Sequence, residues 1–219
     1  VINMIICAGL KPVFVDIDDT FNINPKKIEV KITEKTKVIL LTYLYGQPCA
    51  VDQILNIAKR HNLITVEDCA QSYGAEYKGK KVGSLGDFGY FSFGSYKNVT
   101  TFYGGAITTN NKKVADIIRR KIEKYNYPSR IMLTKRIVRD FALWLATSKY
   151  LFPFAYLVVA LVNLFDDTFI DRMLSTKDIL REEVPSGFKI RFTNLQAAIA
   201  LEQLKRADEG NRRRIENAD

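Results

Sequence analysis

The chain has 219 residues, 47% of them hydrophobic and 26% charged, enough for one α/β domain or most of a larger one and too apolar for a disordered segment. Its formal net charge of +9 suits an anionic partner (nucleic acid, a membrane surface or a phosphorylated substrate) and suits simple surface solubility equally well. A single histidine, His61, excludes a His-based metal cluster or Ser-His triad, and Cys7, Cys49 and Cys69 have neither metal-ligand spacing nor a disulfide pattern, so no metal and a reducing, cytoplasmic setting are expected.

Along the chain, strand-like and helix-like pieces alternate at first. Pro12–Asp16 is a short apolar run ending in an acid, and Val38–Tyr43 is a second. Asp52–His61 has helical spacing, with Ile54, Leu55, Ile57 and Ala58 apolar and Lys59, Arg60 and His61 in the last turn, where cations complement the helix dipole. Leu63–Glu67, Phe88–Phe93 and Ala106–Thr109 read as further strands. Apolar strands separated by helices predict an α/β fold with a mostly parallel sheet and helices on both faces, whose ligands bind outside the carboxyl ends of the strands.

The pattern then changes. Lys112–Tyr125 predicts a basic amphipathic helix and Met132–Leu145 another. Phe141–Phe165 is strongly apolar and aromatic, broken by Lys149 and Pro153, preceded by Lys135, Arg136 and Arg139 and followed by Asp166, Asp167 and Asp171. Three readings of it stand: a helical hairpin packed on protein, an interfacial helix pair lying on a membrane, or a spanning helix. From Asp166 the chain is polar, and a last helix runs from Asn194 to about Ala207. Val1 is not an initiator methionine and Asp219 falls inside a charged helical pattern, so a fragment without a recognisable signal peptide is expected.

Two segments can carry chemistry. Asp68, in Val66-Glu-Asp-Cys-Ala-Gln71, falls at the end of a predicted buried strand, where a carboxylate can hold a protonated ring nitrogen. The bland alternative is a helix N-cap, with Gln71 three residues on completing a capping box. Lys97, in Phe91-Ser-Phe-Gly-Ser-Tyr-Lys-Asn98, follows a strand and a small hydroxyl-bearing loop. A lysine withdrawn from water there is a competent nucleophile toward an aldehyde, and Ser92 and Ser95 could donate to a phosphate. Gly104-Gly105 lets the backbone turn closely beside them, whereas an isolated lysine is usually a solvated surface group.

In order along the chain stand Glu67-Asp-Cys-Ala-Gln71, Gly74-Ala75, Tyr77-Lys-Gly-Lys-Lys-Val-Gly83, Gly86-Asp87, Phe91-Ser-Phe93, Lys97-Asn98 and Gly104-Gly105. This series resembles the DegT/DnrJ/StrS-type family of pyridoxal-phosphate (PLP) dependent nucleotide-sugar aminotransferases. Gly9–Asp18, Leu44-Tyr-Gly-Gln-Pro48 and Phe192–Leu204 resemble its flanking segments.

The resemblance implies a fold-type-I PLP-dependent transferase large domain, here truncated at its N-terminus, over residues 1–130. An apolar helical insertion would follow over 131–186, and a helix leading to a missing C-terminal domain over 187–219. It implies that Lys97 carries the cofactor covalently and moves the proton, that Asp68 pairs with the pyridinium nitrogen, that Gln71 lies near the ring and that Ser92 binds the phosphate. It further implies a homodimer, glutamate or glutamine as amino donor, and a nucleotide-linked keto-sugar acceptor for cell-surface polysaccharide biosynthesis.

Two departures stand out. Phe102-Tyr103 replaces an acidic pair before Gly104-Gly105, and Lys189 replaces the asparagine of the family's Gly-Tyr-Asn-Tyr-Arg segment, where it could meet a phosphate as a point charge. The family includes members that lost the lysine and became dehydratases, so Lys97 favours transamination. The competing expectation is a degenerate, non-catalytic binding module on a membrane surface. A nucleic-acid binder is disfavoured, because the aromatics gather in the apolar block instead of interleaving with the basic residues. His61, Cys69 and Lys78–Lys81 are expected to be a helix-end surface residue, a small buried residue and a solvated turn.

Overall fold

The computed structural model describes residues 1–165 and 183–218. They fall into two compact units, Val1–Pro12 with Pro128–Lys189, and Val13–Tyr127 with Ile190–Asp219. The stretch 166–182, which holds the acids Asp166, Asp167 and Asp171 and part of the expected 131–186 insertion, lies outside the described residues.

The second unit is built on a four-stranded sheet. β1 (Val38–Thr42), β2 (Ile64–Asp68) and β5 (Phe88–Ser92) run parallel, and β6 (Gly105–Thr108) closes the edge antiparallel to β5. A two-stranded hairpin, β3 (Glu76–Tyr77) with β4 (Lys80–Lys81), lies between β2 and β5 in sequence. Its turn residues Lys78 and Gly79 both have positive φ, and Lys78 to Lys81 are exposed, as a solvated turn requires.

β1 reaches β2 through α2 (Val51–Arg60). The buried residues of α2 are Val51, Ile54, Ile57 and Ala58, one stripe at helical spacing, and they join Ile39 and Leu41 of β1 in the core. His61 ends α2 and lies 3.0 Å from the Glu29 carboxylate, with Arg60 at 2.7 Å from the same group.

α3 (Lys112–Glu123) follows β6, its first turn capped by the Asn111 side chain, which accepts from the Val114 N–H. The expected last helix is two: α6 (Asn194–Leu204) and α7 (Ala207–Glu216). Thr193 and Gln196 form a reciprocal capping box at the start of α6. The mostly parallel α/β sheet is the predicted one.

The strand expected over Pro12–Asp16 does not form. Backbone bonds from Asn24 to Asp16 and from Asp18 to Asn22 fold the chain back on itself, with Ile17 bridged to Ile23. No strand among the described residues pairs with the run before it, so Val13 and Phe14 stay exposed.

The first unit holds α1 (Ile2–Cys7), α4 (Arg130–Ala146) and α5 (Phe152–Phe165). Ser129 caps α4, and Pro153 sits in the first turn of α5, where its missing N–H costs nothing. The two helices divide the apolar stretch at Thr147–Leu151, so Lys149 and Pro153 mark its break. Among the described residues no helix is long and apolar enough to cross a membrane. Phe154, Leu157, Val158 and Leu161 of α5 are exposed.

Candidate active site

The carboxyl ends of β2 and β5 lie side by side, with Asp68 opposite Tyr90 in the register. Successive strand residues face opposite sides, so Glu67 and Asp68 serve different surroundings. Glu67 is fully buried and accepts four hydrogen bonds: from the Tyr43 hydroxyl (2.9 Å) and from the backbone N–H groups of Gly83 (2.7 Å), Leu85 (2.8 Å) and Gly86 (2.7 Å). A carboxylate offers about four lone-pair sites, so the match is complete. It pins the loop entering β5, and Gly89 of that strand packs so tightly that a Cβ there would stand 2.5 Å from Gly83 Cα.

Asp68 is also buried. Its Oδ1 accepts the Ala70 N–H at 3.0 Å in a local turn. No helix follows Asp68; the chain turns through Cys69 to Gly74 toward the β3–β4 hairpin, so the helix N-cap alternative is not realised. Burial, with Asp68 close by, holds the Tyr90 phenol well above its ordinary range. Burial pushes the Cys69 thiol up to about 12, which fits an inert core residue rather than a nucleophile.

From Ser92 the chain leaves the sheet and returns at Gly105. The ends of this excursion are tied by Phe93 N–H to Gly104 carbonyl and Thr101 N–H to Phe93 carbonyl, both 2.9 Å. Val99 and Thr101, within it, are buried. Gly104 has φ +97°, and a Cβ there would meet the Phe192 ring at 2.9 Å, so the close return of the backbone requires glycine. The Lys97 N–H donates to the Gly94 carbonyl at 3.0 Å, a tight turn that presents the lysine side chain.

A cavity of about 270 Å³ opens between these two segments. One wall is Ala70, Gln71 and Tyr73; the other is Ser92, Tyr96, Lys97, Asn98 and Val99. Three of the predicted site residues, Gln71, Ser92 and Lys97, therefore share one cavity, and Asp68 stands two residues before its first wall. Among the described residues the Lys97 ammonium has no ion-pair or hydrogen-bond partner. The Gln71 carboxamide accepts the Tyr45 N–H at 3.4 Å. Ser95 does not line the cavity; its hydroxyl donates to the Phe102 carbonyl at 3.3 Å. Lys189 is exposed, belongs to the first unit and is not among the lining residues.

The arrangement gives an unpaired amine, a hydroxyl and a carboxamide around a crevice, next to a buried carboxylate, at the carboxyl ends of parallel strands. Chemically, such a set can take a carbonyl on the amine and a phosphate on the hydroxyl. The chain belongs to the DegT/DnrJ/EryC1/StrS aminotransferase family, whose model matches residues 1–136 and 162–219. It is 38% identical to a GDP-perosamine synthase of Caulobacter vibrioides over 208 residues, 94% of this chain and 43% of that protein. It is 53% identical over 110 residues to a dTDP-3-amino-3,6-dideoxy-alpha-D-galactopyranose transaminase of Aneurinibacillus thermoaerophilus, 49% of this chain and 30% of that one. Among solved structures, an aminotransferase from Psychrobacter cryohalolentis matches 94% of this chain and 42% of its own, at TM-score 0.63 and 30% identity. The chain spans less than half the length of these relatives. Residues 137–161, most of the apolar stretch, fall outside the family match.

Residue patterns alone did not single out Glu67, Tyr73, Tyr96 or Asn211. Glu67 had one visible signal, a charge at the end of a predicted buried strand, and it shares that signal with Asp68. Tyr73 and Tyr96 had none, because a loop tyrosine reads the same whether or not it lines a cavity.

Proposed function

We propose that this chain carries the cofactor-holding part of a PLP-dependent aminotransferase acting on a nucleotide-linked keto-sugar, with Lys97 as the residue bound to the cofactor. One observation carries the reading: Gln71, Ser92 and Lys97 meet at one cavity beside the buried Asp68. PLP, when bound, supplies the electron sink that makes proton removal beside the transferred amino group feasible.

The chain's own residues have complementary parts. Lys97, free of an ion-pair partner, offers Nζ as nucleophile and then as the carrier of the moving proton. Asp68, oriented by the Ala70 N–H, offers a carboxylate to a protonated ring nitrogen. Ser92 offers a hydroxyl to a phosphate and Gln71 an amide beside the ring. Lys189 would add a positive charge toward a phosphate. The burial of Val99 and Thr101 anchors the excursion that carries Lys97.

In this reading the donor is glutamate or glutamine, as the family resemblance implies, and the product serves surface polysaccharide, a role supported by the name of a Bacillus subtilis relative, a spore coat polysaccharide biosynthesis protein 33% identical over 217 residues. A cytoplasmic homodimer completes this reading, with domain limits at 1–130, 131–186 and 187–219. The exposed apolar face of α5, within a stretch outside the family match, supports contact with a membrane surface at residues 141–165.

The test is the visible absorption of the full-length protein with PLP, before and after borohydride, beside Lys97→Ala. A shifted band that borohydride reduces, absent from the variant, is expected. No such band in the unaltered protein would move the reading to a non-catalytic binding module.

A further inference from the structure

The Lys97 excursion has few regular backbone partners, yet three side chains from α6 and α7 hold it. Gln203 pairs with Thr100 on both sides of its backbone: the Thr100 N–H donates to Oε1 at 3.0 Å, and Nε2 donates to the Thr100 carbonyl at 2.6 Å. Gln196 is fully buried and its Nε2 donates to the carbonyls of Thr101 (3.0 Å) and Tyr103 (3.1 Å). Its Oε1 accepts from the Thr193 N–H and hydroxyl, which fixes which end of the amide faces the excursion.

Asn211 spans the cavity's two walls. Its Nδ2 donates to the Tyr73 carbonyl at 2.9 Å, and its Oδ1 accepts from Asn98 Nδ2 at 3.1 Å. Tyr73 lies on one wall and Asn98, the residue after Lys97, on the other. Gly74 leaves the room for this, since a Cβ there would stand 2.4 Å from Asn211 Nδ2. Lys97 therefore sits between two anchored points: its own N–H on Gly94, and the Asn98–Asn211 bond immediately after it.

We propose that Gln196, Gln203 and Asn211 are positioning residues for Lys97, and that the helix pair α6–α7 sets the lysine's approach to the cofactor. The proposal rests on the cofactor reading above. A loop held by five side-chain bonds from α6 and α7 loses little order on binding and keeps its nucleophile in line, whereas a loosened one misplaces it.

The experiment uses the full-length protein and its Gln203→Ala, Gln203→Glu, Asn211→Ala and Asn211→Asp variants. Three quantities are read: the rate of borohydride trapping of PLP on Lys97, located by peptide mass; the rate of PLP release into a scavenger; and the kcat and KM for the keto-sugar. For Gln203→Ala, trapping and kcat fall and release quickens by about 10- to 100-fold. The keto-sugar KM stays within about twofold, because Gln203 does not line the cavity.

Gln203→Glu keeps the acceptor for the Thr100 N–H and loses the donor, so it falls between the alanine variant and the unaltered protein. Asn211→Asp does the same on the Tyr73 side. Variants that trap and release PLP at the unaltered rate, whatever their melting temperature, would show a purely structural role and overturn the proposal. If the alanine variants do not fold, the Glu and Asp variants decide between the same two outcomes. Failure of the unaltered protein to trap PLP at all would remove the cofactor reading itself, a result distinct from any difference among variants.

Discussion

Glu67 and Asp68 are adjacent carboxylates at the end of one strand, and they do unlike things. Asp68 is legible in the sequence, because an acid at the carboxyl end of a buried strand points to a ligand crevice. Glu67 carries more of the fold. Removing it leaves four donors without acceptors, two of them buried and two half-buried, since Tyr43 Oη and three loop N–H groups all converge on it. Glu67→Ala should lower stability by about 3–5 kcal/mol, read as a shift in the urea midpoint at unchanged slope. Glu67→Gln, which keeps the shape and exchanges one acceptor for a donor, should cost about half as much. An alanine variant of near-normal stability would contradict this account of the β5 entry loop. The difference between the two acids was invisible in sequence because both read as polar residues closing a strand; only the loop folded over Glu67 separates them.

At the scale of elements, the strands that formed are those whose apolar runs meet a neighbour. Val38–Thr42, Ile64–Asp68 and Phe88–Ser92 pair in register, while Pro12–Asp16 has the same look and no partner among the described residues. Strand propensity is a statement about fitting a half-buried pleat, so the pairing decides. The apolar stretch resolves into α4 and α5, and its composition was plain from sequence, including the break at Lys149 and Pro153. What it rests against was not plain, because an apolar helix reads alike on protein and on lipid. If α5 lies on a membrane surface, the full-length protein should sediment with phosphatidylserine-containing vesicles. Deleting residues 141–165 should then weaken partition at least roughly tenfold, the effect of about 1.4 kcal/mol. Unchanged partition after the deletion would remove the membrane contact and leave the trapping experiment on Lys97 unaffected.

Across the whole molecule, the buried core around Tyr43, Cys49 and Cys69 sets a direction for stability against pH. Burial raises both thiols from the ordinary 9.0 to about 12 and holds the Tyr43 phenol higher still. Each group keeps its proton more tightly folded than unfolded. For the two thiols the contribution is therefore complete below about pH 9 and is lost as pH rises from there toward about 12, while that of Tyr43 begins to fall only at higher pH. Urea unfolding at a series of pH values should show the midpoint holding up to about pH 9 and falling above it. Serine at both Cys49 and Cys69, with no thiol to ionise, should flatten that fall; an unchanged fall would place its origin elsewhere.

The sequence by itself determined the α/β class, the family and the lysine to test, because short apolar runs separated by a helical pattern, turn glycines and the ordered run from Glu67 to Gly105 are local features. The tertiary structure decided which of those residues share a cavity, that Ser95 turns away to Phe102 while Ser92 faces in, and that α6 and α7 hold the Lys97 excursion. The last of these depends on contacts between segments a hundred or more residues apart, where a glutamine's partner is fixed by packing and leaves no trace in the spacing around it.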